Sequence, residues 1–310
     1  MNAPRSIDDY LKQLRAALGG DDPALTQDAL YDAEEYLRAE VAAHPDKSES
    51  DVLELIASTY GAPEEVAAAY RDTEVKVKAA LKSPVARLGA EASPLRRFFG
   101  VYLDPRTYSS LFYMLLALAT GIVYFTFVVV GLSLSAGFAI LIIGIPFFLA
   151  FIGIARVIAL GEGRLVEAVT GERMPRRPVH PGPPGSWWSR IGEMLKDART
   201  WTTLAYLVVM LPLGIVYFVI AVTGLAVSAA FIGTPLALVA QYFGWLSGDF
   251  RAVDIHYGNG SVYAFDHPWL AGALLLVAGI ILLTVLLHLA RALVRAHARL
   301  AKSLLVVPGA

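Results

Sequence analysis

The sequence contains no cysteine, which excludes a disulfide framework, a thiolate nucleophile and a cysteine-ligated metal. Charge is scarce as well. Asp, Glu, Lys and Arg make up 17% of the 310 residues, against 56% hydrophobic ones, whereas a soluble domain of this size covers itself with more charge. The scarcity is concentrated. No Asp, Glu, Lys or Arg occurs from Tyr108 to Ala155, from Thr202 to Gly248 or from Pro268 to Ala290. Each run exceeds the roughly 20 apolar residues that cross about 30 Å of hydrocarbon, so an integral membrane protein is expected. A signal peptide is also lacking: Met1-Asn2-Ala3-Pro4-Arg5 leads straight into a charged amphipathic segment with no apolar stretch. The first membrane helix then serves as the insertion signal, and the N-terminal region is expected to stay in the cytoplasm.

What precedes the apolar runs reads as four short helices. Ser6 with Asp9 is a variant capping box, and Ile7, Tyr10, Leu11, Leu14 and Leu18 form one apolar stripe that ends at Gly19-Gly20. Asp22-Pro23 starts a second helix with Leu30, Ala33, Leu37 and Val41 on one face. Ser50 is expected to start a third, presenting Val52, Leu53, Ile56 and Tyr60, and Gly61 closes it. Pro63-Glu64-Glu65 opens a fourth with Val66, Ala67 and Tyr70 inward. Residues 1–75 carry 17 acidic and 6 basic side chains. That balance argues against direct binding to nucleic acid or to an anionic lipid surface. It leaves two readings, a solvated acidic face or a docking surface for a basic protein partner.

The segments Tyr10-Leu11-Lys12-Gln13-Leu14-Arg15-Ala16-Ala17-Leu18, Asp32-Ala33-Glu34-Glu35-Tyr36-Leu37 and Tyr60-Gly61-Ala62-Pro63-Glu64-Glu65-Val66-Ala67-Ala68-Ala69-Tyr70-Arg71 resemble the HAAS signalling domain. The resemblance covers about a quarter of the chain. It implies a helical signalling module, commonly partnered with PadR-like transcriptional regulators, and it carries no catalytic residues. After this acidic domain (1–75) comes a basic linker (76–100) with Lys76, Lys78, Lys82, Arg87, Arg96 and Arg97, read as a topology signal.

The apolar region repeats itself. Asp104-Pro105-Arg106-Thr107-Tyr108 recurs as Asp197-Ala198-Arg199-Thr200-Trp201, and Gly121-Ile122-Val123-Tyr124-Phe125 as Gly214-Ile215-Val216-Tyr217-Phe218. Gly131-Leu132 matches Gly224-Leu225 and Ser135 matches Ser228 at the same offset. After a short gap Gly144-Ile145-Pro146 matches Gly233-Thr234-Pro235. This order is the signature of an internal repeat, with copies at 104–160 and 197–248. Each copy is expected to run as a long helix that a Gly-Leu-x-x-Ser turn sends back.

Lys and Arg set the orientation. Arg156, Arg164, Arg173, Arg176, Arg177, Arg190, Lys196 and Arg199 run from the end of the first copy to the start of the second, and Arg291, Arg295, Arg299 and Lys302 lie in the tail. The 249–266 loop carries only Arg251. The N-terminus, the middle segment and the tail are therefore expected in the cytoplasm and the loop outside. This orientation predicts four crossings plus one re-entrant segment at about Phe231 to Phe243, interrupted by Pro235. A five-crossing chain is the rival. The last membrane helix is placed at 268–290 and a basic tail helix at 291–305, with His297 elsewhere on its surface, read as an interfacial side chain. Met174 to Gly185 is proline-rich and reads as an extended linker, and Trp187-Trp188 opens an interfacial helix.

The external loop reads as a hairpin. Val253, Ile255 and Tyr257 alternate with polar residues, and Gly258-Asn259-Gly260 is a turn signal. Asp254, His256, Asp266 and His267 are the candidate sensing residues, since imidazole titrates near neutrality and binds divalent metals. An ordinary polar loop is the other reading. The ligand spacing is too loose to assign a metal, and no catalytic or cofactor-binding residues are assigned.

Residues Tyr113 to Phe125, Gly131-Leu132-Ser133-Leu134-Ser135, Gly144-Ile145-Pro146, Ala155-Arg156, Asp197 to Trp201 and Arg291-Ala292-Leu293-Val294-Arg295 resemble the sensor domain of actinobacterial and related sensor histidine kinases. The resemblance covers about two thirds of the chain (101–305). It departs from those kinases in that residues 1–310 hold no Gly-rich nucleotide loop, so no kinase activity is expected of them.

The expected fold class is all-α: a small N-terminal helical bundle plus a polytopic α-helical membrane domain with an internal repeat. The expected function is a non-enzymatic sensor in the bacterial cytoplasmic membrane, relaying a stimulus to a cytoplasmic partner such as a PadR-like regulator. The lipid bilayer and further copies of the chain are its other expected partners. The alternative is a transporter or channel for an apolar or lipid-like cargo, which would not need charge at membrane depth.

Overall fold

The computed structural model describes residues 4–80, 93–140, 144–175, 192, 195–247, 254–257, 260–263 and 268–306. Its helices are α1 (Ile7–Ala17), α2 (Pro23–Ala43), α3 (Glu49–Ala57), α4 (Pro63–Ala80), α5 (Pro94–Phe99), α6 (Pro105–Phe138), α7 (Gly144–Thr170), α8 (Ala198–Tyr242) and α9 (Pro268–Leu305). A 3-10 turn covers Gly100–Leu103. The fold class is all-α, with one small ribbon of β1 (Asp254–Tyr257) and β2 (Gly260–Tyr263). The chain divides into two compact units. One comprises Met1–Lys82, Ile122–Met210 and Arg295–Ala310, and the other Ser83–Gly121 and Leu211–Val294.

Capping chemistry explains where the first helices begin. Ser6 accepts from the Asp9 N–H at 3.1 Å, and Asp22 accepts from the Ala24 N–H at 3.0 Å. Each satisfies a donor that the first helical turn leaves open. The third helix starts earlier than its sequence suggests. Its cap is Ser48, whose hydroxyl accepts from the Asp51 N–H, while Ser50 lies inside the helix. Gly61, at φ +103°, makes the left-handed step before α4. Tyr10, Leu14, Leu18, Ala33, Leu37, Val52, Leu53, Ile56, Val66 and Ala67 then form one buried core, with Leu30, Val41, Tyr60 and Tyr70 packed at its edge. Helix α4 continues to Ala80, so the first residues of the stretch read as a linker are helical.

Among the described residues four helices, α6 to α9, are long and apolar enough to cross a membrane. No more than 33% of the apolar window of any of them is buried. Ile122, Val216, Leu274 and Val277 are among the large side chains left exposed, as expected where the solvent is lipid rather than water.

Three local expectations are overturned. Gly131-Leu132-Ser133-Leu134-Ser135 is not a turn. It lies inside α6, and Gly224 to Ser228 lies inside α8. The Ser135 hydroxyl donates to the Gly131 carbonyl at 2.6 Å, so the serine is satisfied within the helix it was expected to end. The re-entrant segment is likewise absent among the described residues. Helix α8 runs unbroken through Pro212 and Pro235. A proline removes one helical hydrogen bond, but unwinding the whole segment in lipid would strand many more backbone groups. Finally, 268–290 and 291–305 are one continuous helix.

Close packing fixes the helix contacts. A Cβ on Gly214 of α8 would come within 2.3 Å of the Ala117 carbonyl oxygen of α6, so only glycine allows that approach. In the other unit, a Cβ on Gly131 would overlap the Phe151 ring of α7. Phe127 meets Phe151 there at 5.2 Å between ring centroids, and Phe138 meets Phe147 at 5.3 Å.

Candidate functional site

The sensing residues proposed from sequence fall at or beyond the edge of what is described. Asp254 and His256 lie in β1, in an antiparallel register that pairs Asp254 with Tyr263 and His256 with Ser261. Asp266 and His267 lie outside the described residues, as do Arg176 to Gly185, Trp187, Trp188 and Gly258-Asn259. Among the described residues no group of three His, Asp or Glu side chains is placed to hold a metal ion.

The polar chemistry that the structure does bring together sits at the charged ends of the membrane helices. Glu162 of α7 is 1% exposed and His297 of α9 is 1% exposed. Glu162 lies about 27 Å along α7 from Gly144 at 1.5 Å per residue, close to the thickness of a hydrocarbon core. The Tyr124 hydroxyl of α6 donates to Glu162 at 2.8 Å, and the buried Tyr206 hydroxyl of α8 reaches the other carboxylate oxygen at 3.5 Å. The Tyr206 hydroxyl also shares a hydrogen bond of 3.0 Å with His297 Nε2. Side chains from four helices thus meet in one chain of polar groups. Buried polar groups of this kind are costly unless paired. His297 is therefore a core residue, not the interfacial side chain expected from sequence.

Two ion pairs of the same form flank the helix starts. In one unit Arg156 of α7 donates to Asp197 at 3.1 Å and to the Thr200 hydroxyl at 3.1 Å. In the other, Arg291 of α9 lies 3.1 Å from Asp104. Both aspartates also cap the helix that follows, Asp104 at the Arg106 N–H (3.1 Å) and Asp197 at the Arg199 N–H (3.0 Å). In the second unit Tyr102 hydrogen-bonds Thr284 at 2.9 Å, and His288 bonds the Phe98 carbonyl at 3.0 Å.

A third set ties the N-terminal bundle to the membrane helices within their shared unit. Arg173, just beyond α7, donates to Asp28 of α2 at 2.8 Å and also pairs with Glu74 of α4. Lys302 of α9 donates to Asp22 at 2.6 Å. Two basic residues of the tail are thus engaged by carboxylates, Arg291 by Asp104 and Lys302 by Asp22. None of these partners was legible from spacing. The only hint was charge at positions where an apolar helix tolerates little of it.

No curated protein and no solved structure matches the chain. A family model described as "Putative sensor" matches residues 113–305, spanning α6 to α9 and every polar pair placed on them beyond Tyr113. With that match covering more than half of its length, the chain belongs to this sensor family.

Proposed function

We propose that the chain is a non-enzymatic membrane sensor that passes a stimulus from its membrane helices or its 254–263 hairpin to the acidic N-terminal bundle. The bundle, read as a HAAS-like module, hands the signal to a cytoplasmic protein such as a PadR-like regulator. The observation that carries this reading is the pairing of Arg173 with Asp28 and Glu74. It links the end of a sensor-family helix directly to two helices of the bundle, so a displacement of α7 has a physical route into α2 and α4. A stimulus acts by favouring one of two packings, and such a link lets the bundle report which one holds.

Four spans put both ends of the chain on one side. Arg and Lys density at 156–199 and 291–302 assigns that side to the cytoplasm of a bacterial inner membrane, with residues 249–266 outside. The helices are read as a duplication in which α6–α7 corresponds to α8–α9. The transport alternative drew on the duplicated helices and on the Pro-interrupted segment, and continuous α8 removes the second of these.

The test is direct. Full-length protein in lipid nanodiscs should retain a PadR-like regulator, and deleting the gene should change transcription at that regulator's promoters. Cargo-dependent flux in liposomes, with no regulator bound and no transcriptional effect, would reverse the assignment.

A further inference from the structure

Helix α7 ends in a strap that is held at several points. Gly171, at φ +72°, turns the chain out of the helix, and its N–H donates to the Glu167 carbonyl at 2.7 Å. Three residues on, Met174 is fully buried and packs by Gly163 on the same helix. Arg173 lies between these anchors, so it moves as α7 moves.

The guanidinium enters a site built by two helices of the bundle. The Arg173 side chain is 10% exposed, Asp28 5% and Glu74 8%. One terminal nitrogen donates to Asp28 and the other pairs with Glu74, while the buried Nε has no partner. A planar fork between two carboxylates is the geometry that arginine fills and lysine does not. Withdrawing Arg173 would take the guanidinium away from two buried carboxylates, a loss that buried ion pairs make costly.

We propose that Asp28 and Glu74 form a guanidinium-binding socket, that Arg173 occupies it in cis, and that an arginine-bearing segment of a protein partner takes it when α7 withdraws Arg173. The sensor keeps its own interaction surface covered until the membrane helices shift. This rests on the relay reading above for its biological use, but not for its chemistry.

The absence of cysteine makes the test clean. Spin labels at Lys47→Cys and Ala168→Cys, both exposed positions of one unit, report the distance between bundle and α7 in nanodiscs. Arg173→Ala should lower the docked-to-undocked ratio by about a hundredfold, with Arg173→Lys intermediate. Methylguanidinium should restore the wild-type distance in Arg173→Ala, and methylammonium should not. A peptide copying Gly171–Arg177 should bind the Arg173→Ala chain but not the wild type, and Asp28→Asn should abolish that binding. Slow hydrogen exchange at Leu14, Leu37 and Leu53 checks that the bundle stays folded. If it does not in Arg173→Ala, the Arg173→Lys chain carries the same comparison. Unchanged distances in a folded variant, or equal peptide binding to wild type, would overturn the proposal. No regulator is present in these measurements, so failure to capture one would count against the relay reading and leave the socket standing.

Discussion

Arg156 and Asp197 stand in the same relation as Arg291 and Asp104: an arginine within a membrane helix grips the aspartate that caps another, at 3.1 Å in both cases. Other contacts recur in the same way. The Tyr108 hydroxyl donates to the Tyr102 carbonyl and the Trp201 indole to the Leu195 carbonyl, both at 2.9 Å. Gly131 abuts Phe151, and Gly224 abuts Leu286. Under the proposed duplication, Arg156 of the first copy grips the cap of the second, and Arg291 of the second grips the cap of the first. Each aspartate therefore fixes a helix start and joins the two copies.

The two clasps differ in burial, and this sets the first prediction. Asp104 is 2% exposed in its pair, whereas Arg156 and Asp197 are each about a third exposed. Solvent screens the second pair, which is worth at most about 1 kcal/mol. Asp104→Asn keeps an oxygen to cap Arg106 but removes the charge facing Arg291, and should cost roughly 2 kcal/mol, between exposed and fully buried values. Thermal unfolding in detergent should rank Asp104→Asn well below Asp197→Asn. Equal midpoints would show that burial does not separate the clasps.

Local chemistry explains what could be read in advance. The caps at Ser6 and Asp22 and the stripe from Ile7 to Leu18 depend on neighbours within a turn, so the bundle was legible. Gaps in charge marked the spans for the same reason. The Gly-Leu-x-x-Ser motif misled because a serine that ends a helix and one that bonds back to its own helix look alike. Proline at 235 misled because its usual cost in water is weighed differently in lipid. The register of the second copy, under the proposed duplication, is a subtler case. Gly144-Ile145-Pro146 resembles Gly233-Thr234-Pro235, yet Gly144 opens α7 while Gly233 lies within α8. The contacts align Gly144, Phe151 and Arg156 instead with Gly279, Leu286 and Arg291, at matching intervals. Arg173 with Asp28, and Tyr206 with His297, were beyond reach because no periodicity links residues so far apart in sequence.

Glycine contacts give a graded prediction. Gly214→Ala places a methyl 2.3 Å from the Ala117 carbonyl oxygen, and backbone cannot yield as a side chain can. It should cost about 1–3 kcal/mol or more, the range for overpacking. Gly153→Ala meets nothing within 4 Å and should be neutral or slightly stabilising. Melting midpoints in one detergent decide the order, and a harmless Gly214→Ala would argue against the close crossing of α6 and α8.

The N-terminal bundle should be sensitive to alkali. Burial, reinforced by neighbouring acids and phenols, raises the pKa of Tyr10, Tyr60 and Tyr70 above the ordinary 10. The Tyr10 hydroxyl donates to the Gly61 carbonyl and the Tyr70 hydroxyl to Asp32, both at 2.9 Å. A raised pKa means the folded bundle holds these protons more tightly than the unfolded chain. Their stabilisation is complete below pH 10 and is lost as pH rises from there towards the folded values. Each tyrosine contributes a slope of about 1.4 kcal/mol per pH unit in that window. Tyr70→Phe should flatten the loss, and hydrogen exchange at Leu37 against pH measures it. Stability unchanged to pH 12 would contradict the burial of these hydroxyls.

Orientation is open to the same cysteine-free chemistry. The proposed four-span reading puts position 47, ahead of α6, and position 259, between α8 and α9 in the sequence, on opposite faces of the membrane. In intact cells an impermeant maleimide should label Asn259→Cys and spare Lys47→Cys until the membrane is opened. On the proposed four-span reading the two sites differ, because an odd number of crossings, α6, α7 and α8, separates them. The arginines from Arg156 to Arg199 decide which one faces out. Labelling of both sites from outside would mean that α8, despite its continuity, does not complete a crossing. Labelling of Lys47→Cys alone would keep the four spans and invert the assigned direction of signalling, with the acidic bundle meeting the stimulus and the hairpin facing the cytoplasm.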